Sequence, residues 1–292
     1  MTVIETKGLT KAYGKNRGID DVSISVSEGE IYGFIGPNGA GKSTTIKTLL
    51  NFIFPSGGSA QVLGLDCVSA SERIKAQTGY VPSEIRFYED LTVRDLLDYA
   101  ARFHKGGADT QEWIDRFELE TKKKVGQLSS GNKKKVALAA AMQSRPKLLI
   151  LDEPTNGLDP LMRQTLFTAL REQQAKGCTV FLSSHNLDEV QSLCDRVAII
   201  REGKIVDIRE IREMAAAQGK KVTVTGGSLP ENPGTDIKVV SRTENSVVFT
   251  WKSADMRALL SLLSAMDAKD FLVEDEKLSD IFMSYYNTEV RK

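Results

Sequence analysis

The segment that decides the fold of this chain is Gly36-Pro37-Asn38-Gly39-Ala40-Gly41-Lys42-Ser43-Thr44. It matches the pattern GxxxxGK[ST], in which a glycine-rich turn leads into a lysine and a hydroxyl residue. Glycines are needed there because the backbone must curl around a phosphate group with successive N–H groups pointing inward. The spacing therefore predicts a phosphate-binding loop between a strand and a helix.

The residues on either side of this loop have the character that such a loop requires. Residues 30–35 are mostly apolar and predict a buried strand, and a helix is predicted to begin near Lys42. The positive end of that helix dipole would face the phosphates. Lys42 is expected to contact β- and γ-phosphate oxygens, and the Ser43 hydroxyl to ligate Mg²⁺.

A second part of the same site is predicted at residues 148–153, where an apolar strand ends in Asp152 and Glu153. A carboxylate at the end of such a strand can hold Mg²⁺ through a water molecule. Glu153, the next residue, would then orient or deprotonate the water that attacks the nucleotide.

The rest of residues 1–205 alternates strand-like and helix-like segments, which predicts an α/β fold with a mostly parallel sheet. Residues 147–151 and 178–182 are short and apolar throughout, as expected of parallel strands that are buried on both faces. Between Gly79 and Gln127 the pattern is helical, with a capping box at Thr92-Val93-Arg94-Asp95. We interpret this block as a helical subdomain.

The C-terminal part predicts a small α+β domain. Alternating residues at 222–224 and 246–251 predict strands, separated by turn residues at Gly226, Gly227, Pro230, Pro233 and Gly234. Two helices are predicted from apolar residues at helical spacing, Met256, Leu259, Leu260 and Leu263 in the first and Leu278, Ile281, Phe282 and Tyr285 in the second. The domain contains neither histidine nor cysteine, so only an interaction role is expected of it.

Composition excludes several classes of protein. The chain has 292 residues with 39 Lys+Arg and 39 Asp+Glu, a balance that argues against a nucleic-acid binder. The clusters 122–124 and 133–135, each of three lysines, are expected to be a solvated loop and a solvated helix face. The three scattered cysteines are expected to be buried and reduced, and without a signal peptide or a spanning segment the chain is expected to be cytoplasmic.

Residues 128–132, Leu-Ser-Ser-Gly-Asn, resemble the LSGGQ signature of the nucleotide-binding subunits of ATP-binding cassette (ABC) transporters. The resemblance implies that Ser129 and the N–H groups near Gly131 contact the γ-phosphate of ATP bound to the phosphate loop of a second subunit. Two ATP molecules would then join two cassettes head to tail.

Further positions follow the order of this family. Tyr13 lies where the family stacks an aromatic ring on adenine, Asp159 lies in a segment similar to the D-loop that reaches across the dimer, and His185 is similar to the switch histidine that contacts the γ-phosphate. The other histidine, His104, is expected to be solvated.

Two segments depart from the family pattern. Where the family has a Q-loop glutamine after residues 80–82, this chain has Ser83 and Glu84. Ser83 is too short to reach Mg²⁺, so either Glu84 replaces the glutamine as a metal ligand or the loop couples differently. The signature has Ser130 and Asn132 in place of Gly and Gln.

Taken together, the resemblance implies a cassette at residues 1–210, with a helical subdomain at about 84–144, and an accessory domain at 219–292 of the kind found in ABC-2-type exporters. The expected function is ATP hydrolysis, by a dimer for which two identical copies are favoured, that drives a transmembrane permease in a separate chain. The protein would then be peripheral on the inner face of the cell membrane. A soluble ABC ATPase and a non-catalytic ATP sensor remain as alternatives.

Overall fold

The computed structural model describes residues 1–14, 16–103, 109–216, 219–227, 229, 236–253, 255–266 and 268–276. The strands in these residues are β1 (Thr2–Tyr13), β2 (Asn16–Val22), β3 (Ser25–Ser27), β4 (Ile31–Ile35), β5 (Gly57–Val62), β6 (Leu65–Asp66), β7 (Thr78–Val81), β8 (Leu148–Asp152), β9 (Thr179–Ser184), β10 (Arg196–Arg201), β11 (Lys204–Glu210), β12 (Lys220–Thr225), β13 (Ile237–Arg242), β14 (Ser246–Trp251) and β15 (Asp270–Asp275). The helices are α1 (Lys42–Leu49), α2 (Ser71–Lys75), α3 (Val93–Ala101), α4 (Thr110–Arg116), α5 (Ser130–Met142), α6 (Pro160–Ala175), α7 (Leu187–Leu193), α8 (Ile211–Ala216) and α9 (Met256–Ala265). His104, the prolines of the C-terminal turn and the second C-terminal helix lie outside the described residues.

The central sheet has the strand order β11-β10-β4-β9-β8-β7, and every neighbouring pair except β10–β11 is parallel. Every residue of β4, β8 and β9 is buried, which explains why these strands are mostly apolar, with polar residues chiefly at the carboxyl ends of β8 and β9. The prediction of an α/β fold with a mostly parallel sheet is confirmed. Since β4, β8 and β9 run in the same direction, their carboxyl ends meet at one edge of the sheet.

A second sheet, which we did not predict, is antiparallel and has the order β2-β1-β5-β6, with β3 also paired to β1. Its apolar residues share one core with the central sheet, in which Ile4 and Leu9 join Phe34, Ile46 and Phe181. The sheet places Tyr13 at the end of β1, in a hairpin with β2.

The helical block is built from α3, α4 and α5. Thr92 caps α3 as predicted: its side chain accepts from the Asp95 N–H, and the Asp95 side chain accepts from the Thr92 N–H. Val93, Leu96 and Leu97 are buried. One boundary was wrong, because residues 78–81 form β7 and pair in parallel with β8 rather than beginning the helical region.

The chain divides into two compact units, Met1–Glu210 and Ile211–Lys292. The second contains an antiparallel sheet of order β13-β14-β12-β15, whose apolar residues cluster with Leu259 and Leu263 of α9. Met256 and Leu260 were also expected on the buried face but are 40% and 54% exposed.

The three cysteines, Cys67, Cys178 and Cys194, are buried free thiols, as expected. Burial raises the pKa of Cys178 to about 12. In the described part of the chain, no helix is long and apolar enough to cross a membrane.

Candidate functional site

The phosphate loop lies between β4 and α1, and its glycines are enforced by close contacts. A Cβ atom on Gly36 would lie 2.3 Å from the carbonyl oxygen of Ile200. Gly41 has a φ of +110°, and a Cβ there would lie 2.7 Å from the Ile19 side chain. Only glycine fits such positions without displacing the neighbouring chain. The loop therefore leads directly into the first turn of α1.

Lys42, the first residue of α1, is held in place by three groups. Its ammonium donates to the carbonyl oxygen of Gly36 at 2.6 Å and to that of Pro37 at 3.3 Å. It also forms an ion pair with Glu153, with 3.1 Å between Nζ and Oε1 and side chains only 6% and 9% exposed. Lys42 therefore connects the phosphate loop to the end of β8.

Glu153 lies immediately after β8 in a left-handed backbone conformation, with a φ of +50°. Its N–H group donates to the Ser183 hydroxyl at 3.1 Å. Its carboxylate lies between two nitrogen groups, because Oε2 is 2.8 Å from Nδ1 of His185 while Oε1 faces Lys42. The structure thus brings together Lys42, Glu153 and His185, three residues that the sequence assigned to catalysis.

Asp152, the last residue of β8, is 1% exposed. Its Oδ1 accepts a hydrogen bond from the Ser183 hydroxyl at 2.6 Å, across the register pair that these two residues form between β8 and β9. Burial, together with the negative charge of Asp152, raises the pKa of Tyr80 to about 12. The Asp152 carboxylate is therefore placed at the strand end by sheet pairing, independently of Glu153.

Lys42, Glu153 and His185 face a cavity of about 530 Å³, a size suited to a nucleotide. It is lined by Tyr13, Gly18, Pro37, Asn38, Gly39, Gly41, Lys42, Ser43, Thr44, Ser83, Glu84, Glu153, Asn156 and His185. Gly18 and Asn156 were not among the predicted site residues. A Cβ on Gly18 would lie 2.8 Å from the Tyr13 ring, so glycine there leaves room for that ring. No sequence pattern identifies such a contact.

The signature segment packs on the D-loop segment at Gly157, next to Asn156 of the cavity lining. Ser129 caps α5 by accepting from the Asn132 N–H at 3.3 Å, and Asp159 caps α6 by accepting from the Met162 N–H at 2.9 Å. A Cβ on Gly131 would lie 2.6 Å from the Gly157 carbonyl oxygen, so glycine permits this approach. Ser129, Gly131 and Asp159 do not line the cavity that Lys42 and Glu153 face.

The residues proposed to hold Mg²⁺ are few. The described residues contain no cluster of three or more His, Cys, Asp or Glu side chains that could bind a metal by themselves. The hydroxyl of Ser43 and the carboxylate of Asp152 nevertheless fit Mg²⁺, because this ion commonly takes one or two protein oxygens and completes its shell with water and phosphate. The Glu84 side chain is 82% exposed and paired with Arg86 at 3.4 Å.

One expectation about the lysine clusters was wrong. Lys134, in the middle of the 133–135 cluster, is only 3% exposed, and burial lowers its pKa. Its ammonium donates to the carbonyl oxygens of Pro82, Ser83 and Glu153 at 3.2, 3.3 and 3.2 Å. A run of three lysines by itself indicates a solvated helix face. Lys134 is buried because α5 packs against the ends of β7 and β8.

Comparison with known proteins gives consistent results. The family model described as "ABC transporter" matches residues 19–156. The chain is 41% identical over 214 residues to the bacitracin transport ATP-binding protein BcrA of Bacillus licheniformis, covering 70% of this chain and 69% of that protein. It is 36% identical over 208 residues to the Nod factor export ATP-binding protein I of Burkholderia orbicola (strain AU 1054), covering 69% of this chain and 68% of that protein.

A solved structure of the ATP-binding subunit of an ABC transporter aligns with a TM-score of 0.69 and 32% identity. The alignment covers 74% of this chain and 92% of that one. With the phosphate loop, the acidic strand end and the cavity between them, these similarities establish the family. The chain belongs to the ABC transporter family, as an ATP-binding ATPase subunit.

Proposed function

We propose that this chain acts as one of two identical cassettes that close around two ATP molecules and drive an exporter formed by a separate transmembrane chain. The observation that carries the catalytic part is the buried arrangement in which Glu153 lies between Lys42 and His185 at the wall of the cavity.

In the proposed reaction, a water oxygen forms a bond to the γ-phosphorus while the bond from phosphorus to the leaving ADP oxygen breaks. Glu153 orients the water and accepts its proton. Lys42 stabilises the charge on the β- and γ-phosphate oxygens, and His185 contacts the γ-phosphate. Backbone N–H groups of residues 36–44 would hold the phosphates, as in other glycine-rich loops of this kind.

Ser43 and Asp152 are the residues we expect to hold Mg²⁺, Asp152 through a water molecule, with Glu84 as a further candidate ligand. When bound, the ion neutralises charge on the phosphate oxygens. For the base, we propose that adenine stacks on the ring of Tyr13, which lines the same cavity and is 46% exposed.

The proposal of a dimer is supported by where the signature residues lie. Ser129 and Gly131 begin a helix and therefore offer N–H groups to an anion, yet they do not line the cavity beside Lys42. We propose that they bind the γ-phosphate held by the other copy, and that Asp159 also reaches across the dimer. Since one chain carries both the phosphate loop and the signature, two identical copies suffice.

For the transmembrane partner, the helical block offers a suitable surface. A groove lined by Tyr88, Glu89, Asp90, Leu91 and Tyr99 lies on this block. Tyr88 is 74% exposed, and only four residues separate it from Ser83 at the nucleotide cavity. We propose that a cytoplasmic segment of the permease binds this groove, so that the loop at residues 83–88 connects the partner to the nucleotide.

The domain organisation and location follow from the same proposal. Residues 1–210 form the cassette, with the helical subdomain at about 84–144, and residues 219–292 form an accessory domain. The permease would hold the chain at the inner face of the cell membrane. Export is supported by the similarity to a Nod factor export protein.

Affinity purification of the tagged chain from gently solubilised native membranes tests this proposal. We expect one multi-spanning protein to co-purify in a fixed ratio, and we expect the Tyr88→Ala, Tyr99→Ala double variant to lose it. The matched control is Leu161→Ala, which removes a side chain that is 76% exposed outside the groove. Recovery without any membrane chain, or together with ribosomes or DNA, would contradict the proposal and favour a soluble ABC ATPase.

A further inference from the structure

Lys134 is a buried cation that the reaction proposed above does not use. It lies in α5, the helix that begins at the signature, and its three hydrogen bonds go to main-chain carbonyl oxygens at 3.2 to 3.3 Å. An ammonium group has three N–H donors, so this arrangement satisfies all of them. Packing of the side-chain stem alone would not require three acceptors around the ammonium group of Lys134.

The three carbonyl groups belong to two segments of the nucleotide site. Pro82 and Ser83 follow β7, and Ser83 lines the cavity. The third carbonyl belongs to Glu153, whose own carboxylate faces Lys42 and His185. Lys134 therefore joins the loop after β7 to the backbone of Glu153, although it does not line the cavity itself.

The backbone at Glu153 is in a conformation that needs support. Its φ of +50° lies in the left-handed region, which residues other than glycine, asparagine and aspartate seldom adopt. The N–H side of this residue is fixed by Ser183 in β9, and the carbonyl side is fixed by Lys134. The direction of the Glu153 side chain depends on this turn, because a change in φ would swing the carboxylate away from Lys42.

Lys134 also provides a connection that the departure from the family pattern at Ser83 left unexplained. The loop after β7 carries the short Ser83, so its side chain cannot connect the loop to the centre of the site. The Lys134 ammonium makes that connection through the backbone, from a helix of the helical block to the end of β8.

We propose that Lys134 is a positioning residue for ATP hydrolysis. Its hydrogen bonds hold the backbone at Glu153 in a fixed position relative to the loop at Ser83. This inference rests on the proposed role of Glu153. A displacement of the helical block would then change the direction in which the Glu153 carboxylate points, while the phosphate loop would keep its position.

The test compares Lys134→Met with Lys135→Met in the full chain. Methionine keeps an unbranched apolar stem of similar length but has no donor, so the three carbonyls lose their partner. We expect kcat to fall by about tenfold or more, since small misplacements of a catalytic group have effects of this size, while KM and the dissociation constant of a fluorescent ATP analogue change by less than about threefold. Lys135→Met, on the same helix, is expected to leave all three quantities unchanged.

Two further variants distinguish a failure of the positioning role from a failure of the proposed function. Lys134→Gln, which retains amide donors, should recover part of the lost kcat, and it replaces the methionine variant if that one does not fold. Glu153→Gln is measured in parallel: if it is inactive while both Lys134 variants turn over at the wild-type rate, the positioning role is wrong and the proposed function stands. Parallel losses of kcat and ATP affinity, or a loss of kcat that glutamine does not recover, would also overturn the positioning role.

Discussion

At the scale of single residues, the site depends on the carboxylate of Glu153, which is buried and held by two partners. Glu153 is 7% exposed, lies in the left-handed region, and is contacted by Lys42 on one oxygen and His185 on the other. A buried ion pair is costly to break because the remaining charge is left without a partner. The phosphates of ATP can provide Lys42 with a new anionic partner, which leaves Glu153 available for water.

Replacing this carboxylate should separate hydrolysis from binding. We expect Glu153→Gln to lower the rate of phosphate release by about 100-fold or more, because an amide cannot accept the proton from water. ATP binding should persist, because the phosphate loop and Lys42 are untouched. Phosphate release and the affinity for a fluorescent ATP analogue are the measurements.

Glu28→Gln provides a control, since that side chain is 62% exposed. It should behave as the wild type in both assays. Hydrolysis by Glu153→Gln at the wild-type rate would remove Glu153 from the catalytic role.

At the scale of elements, α3, α5 and α6 begin with well-defined side-chain caps, whereas α1 begins after Gly41 without one. Ser129, Asp159 and Thr92 each accept a hydrogen bond from the first turn of their helix. Such caps satisfy N–H groups that have no partner within the helix. Ser129 thus has a local structural role in addition to the phosphate contact that we propose.

The contribution of one cap can be measured in α3, away from the phosphate loop. Thr92→Ala removes the acceptor for the Asp95 N–H, which lies 3.1 Å from the Thr92 hydroxyl, and should lower the free energy of unfolding by about 1 kcal/mol. Urea denaturation followed by circular dichroism measures the change.

Thr168→Ala is the matched control, because Thr168 is exposed in the middle of α6 and bonds only back to Gln164. Alanine has the higher helix propensity, so this change should be neutral or slightly stabilising. Equal effects of the two substitutions would show that the cap of α3 contributes nothing measurable.

At the scale of the whole molecule, the proposed dimer divides each ATP site between two chains. This makes a specific prediction for mixed variants. Lys42→Ala removes the phosphate-loop cation, whereas Ser129→Asp keeps a good helix cap but places a negative charge where the γ-phosphate of the other copy would bind. Each variant alone should have lost ATPase activity.

Mixing the two variants should restore part of the activity. A dimer of one copy of each contains one site with an intact Lys42 and an intact Ser129, so phosphate release should rise above that of either variant. Thermal melting checks that both variants are folded. Continued inactivity of the mixture, with both proteins folded and the wild type active, would argue for sites formed within single chains.

Several features were predictable from the sequence because they depend on neighbours along the chain. The phosphate loop, the capping box at Thr92 and the apolar strands β4, β8 and β9 each follow from spacing within about ten residues. The antiparallel sheet around β1 and the edge strand β7 were missed or misassigned. Their stability comes from pairing with distant strands, and short segments with mixed polarity carry little local signal.

By itself, the sequence determined that a glycine-rich loop lies between a strand and a helix and predicted that this loop binds phosphate, because the glycine pattern has a local steric cause. It also indicated Asp152 and Glu153 as the acidic end of the site. Only the tertiary structure decided which groups these carboxylates face, since Lys42 begins α1 whereas Ser183 and His185 lie at the end of β9, and the parallel order of β4, β8 and β9 brings these two segments next to the end of β8. The tertiary structure alone also decided that Lys134 is buried, because the carbonyl groups that accept its hydrogen bonds lie far away in the chain. Glu153 is 19 residues away, and Ser83 and Pro82 are 51 and 52 residues away.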